Sequence, residues 1–249
     1  MTGAPTETLT FLFTAIEGST RLWEDHPTDM RAALSRHDEI LRTAFEQRFG
    51  HVFATGGDGF AVVFSRPQDA VDAAVHAQRA LTAERWPGAA PLNVRMGLDT
   101  GAAYERDGDY LGPVPNRAAR IMAASHGGQI LVSARTASLV ELTESIELID
   151  VGDHRLNDLE RAEHLFQVRV EGLPSDFPPL RAQDAYRGNL PTPTANLIGR
   201  AAVLAEIVDL ARANRLVTLT GVGGVGKTRL ALEVGAQLVA ELPDGVWLV

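Results

Sequence analysis

Between Gly172 and Asn196 the chain reads GLPSDFPPLRAQDAYRGNLPTPTAN, five prolines in 25 residues with little apolar periodicity. Each proline removes a backbone donor and pushes the residue before it out of the helical region, so neither a helix nor a sheet core continues through such a stretch. It predicts a linker that is extended rather than packed. The 249 residues therefore divide into a front part, 1–171, a linker, 172–196, and a back part, 197–249.

In the front part short β-rich runs alternate with helical stretches. LTFLFTAI (Leu9–Ile16) has the apolar density of a buried strand and is followed by a turn at Gly18. Residues from Thr28 to Phe49 are expected to be helical, with Met30, Leu34, Ile40, Leu41, Ala44 and Phe45 on the apolar face. HVFATGGDGFAVVF (His51–Phe64) reads as two strands joined by a tight turn at Gly56-Gly57-Asp58-Gly59. A helix with proline in its first turn follows from Pro67 to Glu84. LNVRMGLDTGAAYE predicts a strand pair or a bent strand, Asn116–Ala124 a helix and Gln129–Ser133 a strand. The order β-α-β-β-α-β, then α-β, points to an α+β fold of ferredoxin-like type. In the back part the pattern predicts a helix over 198–215, the strand LVTLT, a glycine loop, a second helix over 228–242 and a strand at GVWLV.

Composition excludes several function classes. The front 171 residues carry 16 Lys and Arg against 25 Asp and Glu, a net of −9, whereas the remainder carries 7 of each sign. An acidic front half argues against phosphate-backbone contacts there, and direct DNA binding is not supported without a helix-turn-helix. With no cysteine, disulfides, thiolate zinc sites and cysteine nucleophiles are out. The seven histidines show no paired ligand spacing and read as surface or core residues. No apolar run approaches the roughly 18 residues of a membrane span. The first basic residue is Arg21, unlike the start of a signal peptide, so a cytoplasmic protein is expected.

Three blocks of the front part, TFLFTAIEGSTRLWE, ATGGDGFAVVF and GDYLGPVPNRAARIMAASHGGQILVS, resemble in order and spacing the signature blocks of class III adenylate and guanylate cyclases. The resemblance spans about Leu9 to Val170. It implies a catalytic centre shared across a head-to-tail dimer and a reaction from nucleoside triphosphate to cyclic nucleotide plus pyrophosphate. Two aspartates of one chain would hold two Mg²⁺ or Mn²⁺ ions. The partner would supply a lysine and an aspartate for the base and an asparagine and an arginine for the transition state. Carried over by position, Asp58 matches a metal aspartate, Asp109 the base-reading aspartate, Asn116 the amide and Arg120 the arginine.

Two positions depart from that pattern. Ala15 stands where the first metal aspartate belongs, and Ala54 where the base-reading lysine belongs. Glu17 is a poor substitute, because the family has a glutamate there alongside the aspartate. No lysine can stand in, since the only one in the chain is Lys227; Arg95 is the arginine to consider. A weak or silent cyclase is expected, with ATP the favoured substrate. It would act as a homodimer, or as a heterodimer with an intact cyclase to which it lends Asp109, Asn116 and Arg120. The alternative is a catalytically silent module that binds nucleotide or a partner and regulates.

GVGGVGKT (Gly221–Thr228) matches the phosphate-loop pattern G-x4-G-K-[ST] between an expected strand and helix. Gly221 and Gly226 would let backbone N–H groups turn toward the phosphates, Lys227 would meet the β and γ phosphates and Thr228 would hold Mg²⁺. With NLIGR (Asn196–Arg200) the segment resembles the start of a STAND-type, NB-ARC-like ATPase, as in bacterial cyclase-ATPase transcriptional regulators. Such a module needs a later Walker B acid and further parallel strands. The segment is therefore expected to bind nucleotide poorly and hydrolyse none. The apolar faces of Leu230, Leu232, Val234, Leu238 and Val239 and of Val246–Val249 are expected to be exposed, predicting instability or a docking partner.

Overall fold

The first strand, β1 (Glu7–Ile16), is apolar at Leu9, at Phe11 to Phe13 and at Ala15 and Ile16 because both of its faces are covered. Leu12 and Ile16 point into the larger core, and Phe11 and Phe13 into a smaller one on the opposite face. The computed structural model describes residues 7–87, 92–106, 108–141, 146–157, 159, 161–181, 201–222, 226–238, 246 and 248. The chain divides into two units, Met1–Asp184 and Ala185–Val249.

In the first unit β1 is followed by α1 (Ser19–Asp25), α2 (Pro27–Glu46), β2 (His51–Gly56), β3 (Gly59–Phe64), α3 (Pro67–Ala83), β4 (Val94–Arg106), β5 (Asp109–Leu111), α4 (Pro113–Ala124), β6 (Ile130–Ser133), α5 (Ala134–Ala137), β7 (Glu147–His154) and β8 (Glu163–Arg169). The strands form one mixed sheet in the order β2-β3-β1-β4-β6-β8-β7, with β5 hairpinned onto the far end of β4. The β2-β3-β1-β4 half is antiparallel throughout, as a βαββαβ unit requires. The crossover through α4 makes β6 parallel to β4. One face is covered by α2 and α3, whose Met30, Leu41, Phe45, Val71, Ala74 and Leu81 meet Leu12, Val62 and Leu98. On the other face α4 lays Val114 and Ala118 against Phe11 and Val63.

The structure adds to the sequence reading in three places. LNVRMGLDTGAAYE contains one continuous strand, β4, because Thr100 is tied on both sides by hydroxyl hydrogen bonds, to Thr10 (3.0 Å) and Thr136 (2.9 Å). Helix α4 starts at Pro113, three residues before Asn116. Pro113 and Pro115 both fall in its first turn, where a missing N–H costs no intrahelical bond. The third difference is the proline-rich stretch, whose described residues 172–181 are packed as well as extended. Leu180 is buried with Ile121, Ala124 and Leu165, and Arg181 N–H donates to the Ala124 carbonyl at 2.8 Å. Proline takes away donors but leaves carbonyls and rings. Gln167 donates to the Ser175 carbonyl (2.7 Å), His126 Nε2 to that of Pro179 (2.9 Å), and the His126 ring stacks on Phe177. Residues 182–196 lie outside the described residues.

Phe49, between α2 and β2, has φ +59° and is 86% exposed. A bulky residue in the left-handed region is strained by about 1–2 kcal/mol, while glycine there costs about 0.5–1 kcal/mol in chain entropy. Phe49→Gly should therefore raise the melting temperature, by roughly 1–4 °C for a unit of this size. A calorimetric scan showing a lower value would mean that the ring makes contacts worth more than the strain.

In the second unit, α6 (Ala201–Ala213) and α7 (Lys227–Leu238) pack on one another. Leu204 and Val208 of α6 are buried with Leu230, Val234 and Leu238 of α7, so those three α7 residues are not the exposed face expected above. Val203, Leu210, Leu216, Val222 and Leu248 are exposed. Residues 216–220 are not a strand, which is the physical consequence of having no neighbouring strand to pair with among the described residues. Of the expected strand at GVWLV only Val246 and Leu248 are described, and Val239 lies outside the described residues.

Candidate active site at the end of β1 and the β2–β3 turn

The turn carrying Asp58 lies directly against the end of β1. Phe60 N–H donates to Thr14 Oγ1 at 3.1 Å, and a Cβ on Gly59 would sit 2.4 Å from the Thr14 carbonyl oxygen. Only glycine permits that approach, which is why a β-rich run carries it. Ala15 and Asp58, the two expected metal positions, are thus brought together. The Oδ2 atom of Asp58 is buried without a hydrogen-bond partner. No three of His, Asp and Glu converge as a metal cluster among the described residues.

The residue facing Ala15 is Arg95, its direct partner in the antiparallel β1–β4 register, and the Arg95 Nε is buried without a partner. Residues so paired share one face of the sheet. The Arg95 side chain therefore rises from the same sheet face as Ala15, the expected position of a metal carboxylate. Glu17 is engaged elsewhere: it forms an ion pair with Arg181, and its other carboxylate oxygen lies against Gly127.

The strands of the base-reading positions also come together. Phe53 and Tyr110, which adjoin Ala54 and Asp109 in sequence, pack edge to face at 5.0 Å, both touching Phe11, which brings strands β2 and β5 together. Ala54 and Asp109 are both exposed, and Asp109 Oδ1 accepts from the Tyr110 N–H at 2.8 Å. Asn116 and Arg120 stand four residues apart on α4, hence on one face, Asn116 exposed and Arg120 half-buried.

Two features escaped the sequence reading. Arg117 donates to Asp99 Oδ2 and to Glu163 Oε1, each at 2.8 Å, and Ser133 donates to Asp99 Oδ1 at 2.6 Å. Asp99 is 1% exposed. Burial works to lower the Arg117 pKa, yet the hydrogen bond and charge of Asp99, with Glu163, raise it overall. The network pins α4 against β4 and β8 one residue from Asn116. Its signal was an acid, Asp99, inside the otherwise uncharged run MGLDTG. The second is His37 on α2, wholly buried, with Nδ1 2.9 Å from Asp38 Oδ1 and Nε2 without a partner. Burial lowers its pKa, against the opposing pull of Asp38 and Asp58.

In the second unit Lys227 Nζ donates to the carbonyls of Gly221 (2.9 Å) and Val222 (3.0 Å). Gly226 precedes α7 with φ +91°, and Thr228 is exposed in its first turn. Residues 223–225 lie outside the described residues. No helix among the described residues is long and apolar enough to cross a membrane.

A mixed sheet with α4 on one face, and a glycine turn pressed on the end of β1, are features of a known catalytic fold. The family model of the adenylate and guanylate cyclase catalytic domain matches residues 1–168, and the chain belongs to that family. It is 36% identical over 206 residues to the uncharacterized protein Rv0891c of Mycobacterium tuberculosis, covering 81% of this chain and 70% of that one. It is 30% identical over 181 residues to the adenylate cyclase of Schizosaccharomyces pombe, covering 63% of this chain and 11% of that one. Among solved structures, a Trypanosoma brucei adenylate cyclase in its monomeric state superposes with a TM-score of 0.66 at 26% identity, over 72% of this chain and 94% of that one.

Proposed function

We propose that this chain is a degenerate nucleotide cyclase. Its reaction would convert a nucleoside triphosphate, ATP by preference, into a 3′,5′-cyclic nucleotide and pyrophosphate, weakly, in cytoplasmic signalling. The observation that carries the reading is Asp58, a half-buried carboxylate held by a tight glycine turn against the end of β1, beside Ala15. One carboxylate plus phosphate oxygens is a donor set that suits Mg²⁺ or Mn²⁺. Asp58 would hold one such ion. When bound, the ion makes the ribose hydroxyl more acidic and offsets phosphate charge.

The chain's own groups divide the remaining work. Arg95, facing Ala15, supplies positive charge for the triphosphate where the second carboxylate and its ion are missing. Asp109 accepts from an adenine amino group. Asn116 and Arg120, one turn apart on α4, position and neutralise the transferring phosphoryl group of a site completed by a second chain. In the reaction the 3′-oxygen bonds to the α-phosphorus, the bond from that phosphorus to the bridging oxygen breaks, pyrophosphate leaves and the hydroxyl proton passes to solvent. A pairing with an intact cyclase would supply the carboxylate that Ala15 lacks.

The full chain incubated with ATP or GTP and Mn²⁺ should give a small amount of cyclic nucleotide, measured by mass. Asp58→Asn should lower it by at least tenfold and weaken Mn²⁺ binding in parallel. Product unchanged by Asp58→Asn would overturn the assignment. The alternative reading, a silent nucleotide- or partner-binding regulator, is favoured by Ala15 and Ala54 together with the absence of a converged ligand cluster among the described residues. No product under any condition, with nucleotide binding retained, would select it.

For the back part we propose a linker over 172–196 and a partial phosphate-loop module over 197–249. Gly221, Gly226, Lys227 and Thr228 would meet the nucleotide phosphates. Loss of ATP binding in the second unit on Lys227→Ala is the expected result, and binding unchanged by that substitution would dismiss the module.

A further inference from the structure

The buried His37 Nε2 and the buried Asp58 Oδ2 are both without partners. His37 is 0% exposed. Its ring centroid is 6.0 Å from that of Phe60, which follows Asp58 by two residues, and the charge of Asp58 is felt at the imidazole. Arg42 stacks over the Phe60 ring at 5.0 Å, and Arg95, paired with Ala15, rises from the sheet face of Phe11 and Phe13, opposite the face that α2 covers.

The chemistry of the two atoms restricts what joins them. Asp38 is a carboxylate and only accepts, so the 2.9 Å contact places the ring proton on Nδ1. In a neutral imidazole Nε2 is then a lone pair, an acceptor. Asp58 Oδ2 is an acceptor as well. Two buried acceptors with no donor between them would each lose the stabilisation of a hydrogen bond, roughly 1–3 kcal/mol apiece. A protonated imidazole would resolve the conflict, but burial opposes a charged ring. A water molecule resolves it without charge, since it has two protons to give.

We propose that His37 is a positioning residue for Asp58: one buried water donates to His37 Nε2 and to Asp58 Oδ2, turning the other carboxylate oxygen outward to the cation. The ring belongs to α2, which covers the sheet face opposite α4, so it acts through Asp58 and touches neither nucleotide nor ion. This rests on the reading of Asp58 as the metal carboxylate, and extends it to the residue that orients it.

The test uses the full chain labelled with ¹⁵N at histidine. Long-range proton–nitrogen spectra should show His37 as the neutral Nδ1–H form, with an Nε2 resonance that moves on Asp58→Asn and moves again when diamagnetic Mg²⁺ and ATP are added. His37→Phe keeps an aromatic ring in the core. It should leave the melting curve near that of the parent while weakening Mn²⁺ binding about tenfold, the usual scale for a group behind a metal ligand. His37→Gln, whose amide oxygen accepts from the same water, should restore most of that loss. An Nε2–H tautomer or a ring signal indifferent to Asp58→Asn would each overturn the proposal. The spectra are read without metal first. A coupled ring signal in a chain that binds no Mn²⁺ would therefore leave the water bridge standing and refute the metal assignment of Asp58.

Discussion

Ala15→Asp alone raises cyclic nucleotide production from ATP and Mn²⁺ by two decades or more in the full chain. The expectation follows from what position 15 lacks. A cation pair on a triphosphate needs a shared carboxylate, and its loss is worth roughly 3 kcal/mol of transition-state stabilisation. The half-buried Ala15 lies at the end of β1 against the Asp58 turn. An added carboxylate there would also face Arg95, which would offset part of the cost of placing a charge. Mass detection of the product, beside Asp58→Asn in the same background, decides it. Silence of Ala15→Asp with Mn²⁺ bound would locate the defect elsewhere, at Ala54 first. The gain should vanish when Asp58 is also replaced, because the two carboxylates would act as a unit.

The second large effect is structural. Gly97 of β4 lies directly beneath α4. A Cβ there would stand 2.1 Å from the backbone nitrogen of Met122, 2.6 Å from its Cα and 2.8 Å from the Ala118 carbonyl oxygen. All three are backbone atoms of one helix, so no side-chain rotation relieves the clash and α4 must move as a body. Overpacking of this kind costs about 1–3 kcal/mol, and the upper end is expected because the Arg117–Asp99–Glu163 network also holds the helix in place. Gly97→Ala should lower the melting temperature by roughly 6–12 °C. It should also displace Asn116 and Arg120 together, so residual turnover would fall even at temperatures where the variant is folded. A melting curve unchanged by the substitution would mean that α4 is not seated on β4 as described.

Much of the fold was legible because local chemistry and global architecture agree. The apolar run at Leu9–Ile16, the glycine turn at Asp58 and the proline that opens α3 each state their element in a few neighbouring residues. The β7–β8 pair was not legible in the same way, since half-exposed strands with charged residues lack a clear period. The strand expected at Leu216–Thr220 failed for a related reason: apolar character gives a segment the propensity to pair but supplies no partner. The packing of Ser175, Pro179 and Leu180 on the first unit was hidden because proline content speaks for the absence of donors and is silent about acceptors.

For the site the division is sharper. The sequence by itself determined which residue types are available: Asp58, Asp109, Asn116 and Arg120 present, and an aspartate and a lysine replaced by Ala15 and Ala54. Identity is a local property, and spacing along a chain is enough to recognise it. Only the tertiary structure decided that Arg95 faces Ala15, that Glu17 is taken by Arg181, that Asp99 anchors Arg117, and that a wholly buried histidine packs against Phe60. Each of these depends on strand register or on helix-to-sheet packing between residues far apart in sequence. A shift of one residue in register would turn every side chain of a strand to the other face, and no count along the chain contains that choice.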